Sequence, residues 1–133
     1  LPGGGIALVR AQKALDGLRL AGDAGMGVAI LRRALELPLR TIAANAGVDG
    51  ALVLKRVRAE DGTYGYDAEQ DRYGDMMEFG IVDPTKVTRS ALQNAASVSG
   101  LLLMTDALVA NVPEEDGAHA GPGGGAGMDD MGF

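Results

Sequence analysis

The sequence predicts a mainly α-helical fold with one small β-hairpin, an edge strand near the C-terminus and a disordered Gly-rich tail. Apolar residues recur at the spacing of one helix face along most of residues 6–104. Aromatic residues form only 4% of the chain and tryptophan is absent. Ala, Leu and Val must therefore fill the core, which suits closely packed helices. One Tyr-rich stretch, residues 63–73, has strand character instead.

The N-terminal third predicts two helices. The first is expected over Ile6–Leu18, directly after the glycine run Gly3–Gly5. A turn over Ala21–Gly25 leads to a second, longer helix over about Met26–Asn45. That helix contains Pro38, which lacks a backbone donor and crowds the carbonyl four residues earlier, so we expect a kink there.

The middle of the chain predicts a short helix followed by a hairpin. Asp49 is expected to cap a helix over about Gly50–Arg58, because its side chain can accept from a free N–H of the first turn. Strands are expected over Thr63–Asp67 and Arg72–Tyr73 around a polar turn. A short helical turn over Asp75–Phe79 is expected to follow.

The last helix has a clear start. Asp83 is expected to be its N-cap and Pro84 its first residue, and an apolar stripe continues to about Met104. Residues Asp106–Val112 alternate between apolar and polar and predict an edge strand. Residues 113–133 are Gly-rich and acidic and have no apolar periodicity, which predicts disorder.

Composition excludes several classes of function. The net charge is −6, and five acids of the tail leave the rest of the chain near −1, so a basic nucleic-acid face is not expected. The chain has no cysteine, and the lone His119 has no partner for a metal site or a catalytic dyad. The longest uncharged run, Ser90–Thr105, is too short and too polar to span a membrane.

Two features suit a nucleotide, each with a plainer alternative. A glycine run before a helix exposes backbone N–H groups and lets a ligand come close, yet Gly3–Gly5 lacks the Lys and Ser/Thr of a P-loop and can equally be a turn. The Asp83 carboxylate can accept from a pair of ribose hydroxyls, or it can only cap the helix. The residues alone leave both alternatives open.

A calcium loop is a further alternative, with weaker support. Asp67, Glu69, Asp71 and Glu78 fall at the first, third, fifth and twelfth positions of the loop template. The sixth position requires glycine and holds Arg72. A solvated acidic hairpin is therefore the preferred interpretation.

Longer stretches resemble one protein family. Tyr64–Ala68 followed by Tyr73–Met76 resembles the nucleotide hairpin of group I chaperonins, the GroEL type, and Gly80–Val98 is similar to the same family almost letter for letter. Pro2–Leu8 is similar to the family's glycine turn, and Ala34–Arg40 is similar to its kinked helix. The similarity covers about residues 2–112, and the tail is only loosely similar.

The resemblance implies that residues 1–112 are the C-terminal half of a chaperonin equatorial domain, which binds ATP, and that residues 113–133 are a disordered acidic Gly/Met tail. It implies that the backbone of Gly4 contacts the ribose and that the Asp83 carboxylate holds the ribose hydroxyls. The residues that would border the adenine are Asp67, Ala68, Glu69 and Ile81. The family often has Asn at position 67 and commonly Ala at position 69. Backbone contacts tolerate both changes, whereas a side-chain amide contact at position 67 is left open.

The resemblance also implies a function for the complete protein, an ATP-dependent folding chaperone and ATPase in the cytoplasm. The family's phosphate loop, its magnesium-binding carboxylates and its client-binding domain would lie upstream of Leu1, so no catalytic residue and no hydrolysis are expected from this piece alone. ATP would bind with Mg and K supplied mainly by those missing residues. No nucleic acid or membrane partner is implied.

Assembly is implied as well. Identical subunits would form a double seven-membered ring, and a co-chaperonin and unfolded proteins would bind through missing domains. Asp106–Val112 would pair with the neighbouring subunit, and Arg40 with Asp49–Lys55 would lie where the two rings meet. The alternative from a different class is a helical assembly module that makes subunit contacts and never binds nucleotide.

Overall fold

The computed structural model describes residues 1–107, 109 and 110. The predicted fold class is confirmed: helices dominate, and one antiparallel hairpin interrupts them. In chain order the helices and strands are α1 (Ile6–Ala11), α2 (Gly22–Ala34), α3 (Leu37–Asn45), α4 (Gly50–Ala59), β1 (Tyr64–Asp67), β2 (Arg72–Asp75) and α5 (Thr85–Leu103).

The first helix is shorter than predicted. Regular α-helix ends at Ala11, and Gln12–Leu15 form a tighter 3₁₀ turn. Residues 16–18, which were predicted to be helical, lie outside any helix. Gly17 lies in that stretch, and glycine weakens a helix because it loses the most conformational freedom on folding.

The predicted second helix is two helices. Helix α2 starts at Gly22, inside the stretch predicted as a turn, and α3 starts at Leu37 after a break at Leu35 and Glu36. The expected kink at Pro38 was therefore wrong in form, because Pro38 is the second residue of a new helix. Proline fits there, since a donor in the first turn has no intrahelical acceptor.

Helix α4 follows its predicted capping. The Asp49 carboxylate accepts a hydrogen bond from the N–H of Ala51 at 2.7 Å, which confirms Asp49 as the N-cap. Helices α3 and α4 approach closely at Gly50, where an added Cβ would lie 2.7 Å from the carbonyl oxygen of Arg40. A side chain at position 50 would force the two helices apart.

The hairpin is confirmed, and its second strand extends to Asp75. The two strands pair antiparallel, with Tyr66 opposite Tyr73 and Asp67 opposite Arg72. The Arg56 guanidinium of α4 lies 3.9 Å from the centre of the Tyr73 ring, a cation–π contact that ties the hairpin to the helix.

Helix α5 is confirmed, but its cap is not the predicted one. Pro84 is the N-cap and Thr85 the first residue, and the Asp83 carboxylate makes no capping bond. The prediction was wrong because Asp83 lies one residue too early, in a segment whose backbone pairs with Leu1 through a 2.9 Å hydrogen bond. Residues 106, 107, 109 and 110 of the predicted edge strand have no strand structure. Its other residues and the predicted tail lie outside the described residues.

The buried core belongs to α1, α3, α4, the hairpin and Met76 directly after it, which together we call the core half. Its buried apolar residues are Ile6, Val9, Leu39, Ala43, Val53, Leu54, Val57, Tyr66 and Met76. Neither α2 nor α5 contains a buried residue, and we call these two the outer helices. Within the part of the chain that the structure describes, no helix has the length and apolar character needed to cross a membrane.

Candidate functional site

Two segments far apart in the sequence meet beside the hairpin. The Gly3 N–H donates to the Ile81 carbonyl at 2.9 Å, the Asp83 N–H donates to the Leu1 carbonyl at 2.9 Å, and Pro2 bridges Val82 in antiparallel fashion. This pairing brings the glycine run next to residues 81–83. Three of the residues expected at the nucleoside, Gly4, Ile81 and Asp83, therefore lie in adjoining segments.

Gly4 has a backbone that only glycine adopts without strain. Its φ is +66°, and an added Cβ would lie 3.1 Å from Met76 Cε and 3.6 Å from the Tyr66 carbonyl oxygen. The glycine run thus passes directly over the hairpin and the residue that follows it. A side chain at position 4 would press against Met76 and the Tyr66 backbone.

Ile81 is held from both sides. Its N–H donates to the Met76 carbonyl at 2.9 Å, and its own carbonyl accepts from Gly3. The side chain is half-buried and packs against the core. It therefore presents a fixed apolar surface at the edge of the core half, which suits the face of a flat ring.

Asp83 is half-buried, and its carboxylate accepts no hydrogen bond from the residues that the structure describes. Its backbone is fixed by the pairing with Leu1, in which the Leu1 terminal nitrogen lies 3.1 Å from the Asp83 carbonyl oxygen. A carboxylate on a fixed backbone offers two oxygens that can accept from neighbouring hydroxyls.

Asp67 has a different role. The residue is only 4% exposed, and its carboxylate accepts from Arg72 Nε at 3.0 Å and from the N–H groups of Glu69 and Gln70 at 3.2 and 3.3 Å. Burial alone would raise the pKa of Asp67, but these hydrogen bonds hold it below its ordinary value. The carboxylate stays ionised and closes the hairpin turn, so its oxygens are already engaged.

Ala68 and Glu69 follow Asp67 in the hairpin turn. Ala68 is half-buried and packs against the core, whereas Glu69 is exposed. The calcium-loop alternative is not supported by this turn. Asp67 is paired with Arg72, Asp71 accepts from the Tyr66 hydroxyl at 2.9 Å, and the described residues contain no group of three metal-binding side chains.

Two residues that hold the ends of the hairpin through several hydrogen bonds were missed by the sequence interpretation. The Arg10 guanidinium of α1 donates to the carbonyls of Val57, Gly62 and Tyr64, each at 3.0 Å, and so joins α1 to α4 and to the start of β1. Burial lowers the pKa of Arg10, and Asp61 opposes this. No local sequence pattern predicts these hydrogen bonds of Arg10, because the acceptors are backbone atoms about fifty positions away.

The second missed residue is Asp75, at the end of β2. Its carboxylate accepts from Thr63 Oγ1 and from the N–H groups of Met77 and Glu78, the latter two at 2.8 and 3.2 Å. The bond from Thr63 and those from the backbone hold the pKa of Asp75 below its ordinary value. An Asp just before a predicted turn is the signal that could have found it.

The model of the TCP-1/cpn60 chaperonin family matches residues 1–113 of this chain. That span contains the glycine run, the hairpin and residues 81–83, and it is most of the 133 residues. The chain belongs to the TCP-1/cpn60 chaperonin family.

Proposed function

We propose that this chain is the C-terminal part of the equatorial domain of a group I chaperonin and supplies the nucleoside side of its ATP site. Membership of the chaperonin family supports a role in protein folding. The group I assignment rests on the resemblance of Tyr64–Ala68, Tyr73–Met76 and Gly80–Val98 to that branch of the family. The complete protein would be an ATP-driven folding chaperone.

The observation that best supports a nucleoside site is the pairing of residues 1–3 with residues 81–83. It brings next to each other the backbone segments that carry three chemically suitable groups. These are the bare backbone of Gly4, the apolar Ile81 side chain and the Asp83 carboxylate. A backbone that a ribose can approach, an apolar surface for a base and a free acceptor for hydroxyls are the features that a nucleoside requires.

The hairpin turn contributes to the same edge in a less direct way. Asp67 fixes the turn through Arg72 and two backbone N–H groups, so its carboxylate shapes the site without bonding the ligand. Ala68 would border the adenine with an apolar surface. Glu69 is exposed at the rim, where its backbone would reach the base more readily than its charged side chain.

Phosphate and metal chemistry would come from other parts of the complete protein. The residues described here include no cluster of side chains that could hold a metal ion. When bound, Mg and K neutralise charge on the phosphates, and this chain would bind and orient the nucleoside end. Hydrolysis would require the full-length subunit, in a double seven-membered ring in the cytoplasm, with unfolded proteins and a co-chaperonin as partners.

ATP binding by the full-length protein tests the proposal. Asp83→Ala removes the acceptor for the ribose hydroxyls, and we expect the Kd for ATP to rise about tenfold or more, because hydrogen bonds to a charged group contribute about 1.5–3 kcal/mol. Asp23→Ala in α2 is the matched control, since it deletes an exposed carboxylate away from residues 81–83. We expect its Kd to equal that of the wild type.

Two outcomes would contradict the proposal. Wild-type affinity in a folded Asp83→Ala variant would exclude the ribose contact. No ATP binding by the wild-type full-length protein would favour the helical assembly module instead.

A further inference from the structure

The six residues 75–80, which we call the linker turn, connect the hairpin to residues 81–83. The Phe79 N–H donates to the Asp75 carbonyl at 3.1 Å, and the Gly80 N–H donates to the Met77 carbonyl at 3.1 Å. Gly80 has a φ of +72° and so redirects the chain into the segment that pairs with residues 1–3. The geometry of the linker turn therefore sets where Ile81 and Asp83 begin.

Met76 connects the linker turn to the hairpin, to Ile81 and to the glycine run. Its N–H donates to the Thr63 carbonyl at 3.0 Å, and its carbonyl accepts from the Ile81 N–H at 2.9 Å. Its side chain is fully buried, and added Cβ atoms at Gly4 and Gly65 would lie 3.1 Å from its Cε and 2.6 Å from its Cγ. A shift of Met76 would therefore move both Gly4 and Ile81.

Asp75 fixes the linker turn from its first residue. One carboxylate oxygen accepts from the N–H groups of Met77 and Glu78, at 2.8 and 3.2 Å. The other oxygen accepts from Thr63 Oγ1, on the residue before β1. Asp75 thus closes the turn on itself and ties it to the opposite strand of the hairpin, with Met76 held between the two attachments.

We propose that Asp75 is a positioning residue for the nucleoside side of the ATP site, acting through the linker turn on Ile81, Asp83 and Gly4. The inference rests on the proposed function. Asp75 does not touch the nucleotide in this role. Its loss frees two N–H groups of the turn, so the turn that anchors the Ile81 N–H keeps only its backbone hydrogen bonds and is held less firmly.

The role depends on hydrogen-bond geometry, not on charge. An Asn side chain keeps one carbonyl oxygen for the two backbone N–H groups, and its NH₂ donates to Thr63 Oγ1 with the direction of that bond reversed. Asp75→Asn therefore preserves the turn, whereas Asp75→Ala removes all three bonds. A role based on negative charge would give the opposite result for Asn.

The experiment measures the Kd for ATP and the Tm of the full-length protein for wild type, Asp75→Ala, Asp75→Asn and Val57→Ala. Asp75→Ala is expected to raise the Kd about tenfold, since small displacements of binding groups have large effects, and Asp75→Asn to stay within about twofold. Val57→Ala is the control for stability, because Val57 is fully buried in α4 and lies outside the linker turn. It is expected to lower the Tm and leave the Kd unchanged.

Three results would overturn the inference. They are an unchanged Kd for Asp75→Ala, an equal loss of affinity in Asp75→Asn, and an equal loss in Val57→Ala. If Asp75→Ala does not fold, the Kd of Thr63→Val tests the inference instead. This variant removes the Thr63–Asp75 bond and leaves the bonds from the Met77 and Glu78 N–H groups in place. A rise in Kd of about threefold supports the inference, and wild-type affinity overturns it.

The two proposals fail in different ways. If wild type binds ATP and Asp83→Ala weakens binding while Asp75→Ala does not, only the positioning role is wrong. If wild type does not bind ATP, the nucleoside site and the positioning role both fall.

Discussion

The core half and the outer helices have similar sequence patterns and different surroundings. In the core half, apolar positions such as Leu39, Val53 and Val57 are completely buried. In the outer helices, apolar residues at helix spacing stay largely exposed, and Ile30 and Leu101 are each 70% exposed. An apolar stripe in the sequence therefore predicts that a helix face packs against something, but it does not identify the packing partner.

A groove of about 500 Å³ lies between the outer helices. Its walls include Ile30 and Leu31 of α2 and Leu92 of α5, and Leu8 of α1 and Pro38 of α3 also line it. Two helices that line one groove without burying a residue hold each other weakly, since burial of apolar surface is the main source of stability. The comparison predicts that the two regions respond differently to the same substitution.

The largest difference is expected for leucine truncation. Leu39→Ala leaves a cavity at a fully buried position and is expected to cost about 2–5 kcal/mol. Leu101→Ala changes a side chain that is 70% exposed and is expected to stay within about 0.5 kcal/mol. Urea unfolding of the 133-residue chain, followed by circular dichroism, measures both. A large cost at Leu101 would show that α5 is covered in solution and would break the comparison.

An intermediate difference, with opposite signs, is expected for glycine. Gly5 has a φ of +79°, and an added Cβ would lie 2.7 Å from the Leu39 nitrogen, so Gly5→Ala is expected to cost about 1–3 kcal/mol or more. Gly27 lies within α2, and an added Cβ would meet no atom within 4 Å apart from its neighbours and the backbone of its own helix, so Gly27→Ala is expected to stabilise by about 0.5–1 kcal/mol. Thermal melting with helix content as the signal measures both. Destabilisation by Gly27→Ala would mean that α2 is packed more closely than its exposure indicates.

Local features of the core half were predictable because their causes are adjacent in sequence. The Asp49 cap, the strand preference of Tyr64 and Tyr66, and the approximate start of α5 all follow from neighbouring residues. The break between α2 and α3 was predicted only in approximate position. Whether proline bends a helix or begins a new one depends on packing: here Leu35 in the break is 6% exposed and Leu39 is fully buried.

The candidate site was less predictable from the residues alone, because it depends on contacts between distant segments. Nothing near Gly3 indicates that its N–H bonds the Ile81 carbonyl, and nothing near Arg10 indicates a bond to Tyr64. Family resemblance supplied the grouping of Gly4, Ile81 and Asp83 without supplying its geometry. The pairing of residues 1–3 with residues 81–83 explains physically why those residues adjoin.

The smallest effect is expected at an ion pair that joins α2 to the turn after α1. Arg32 Nη2 lies 2.7 Å from Asp16 Oδ1, with the two side chains 37% and 62% exposed. Asp16→Asn is expected to cost only about 0–1 kcal/mol, because water screens an exposed pair and ordering two side chains opposes it. When the urea measurement is repeated at high salt, we expect a smaller difference in the free energy of unfolding between Asp16→Asn and the wild type, since salt screens exposed charges. A cost well above this range, unchanged by salt, would mean that this ion pair contributes more to the attachment of α2 than an exposed pair normally does.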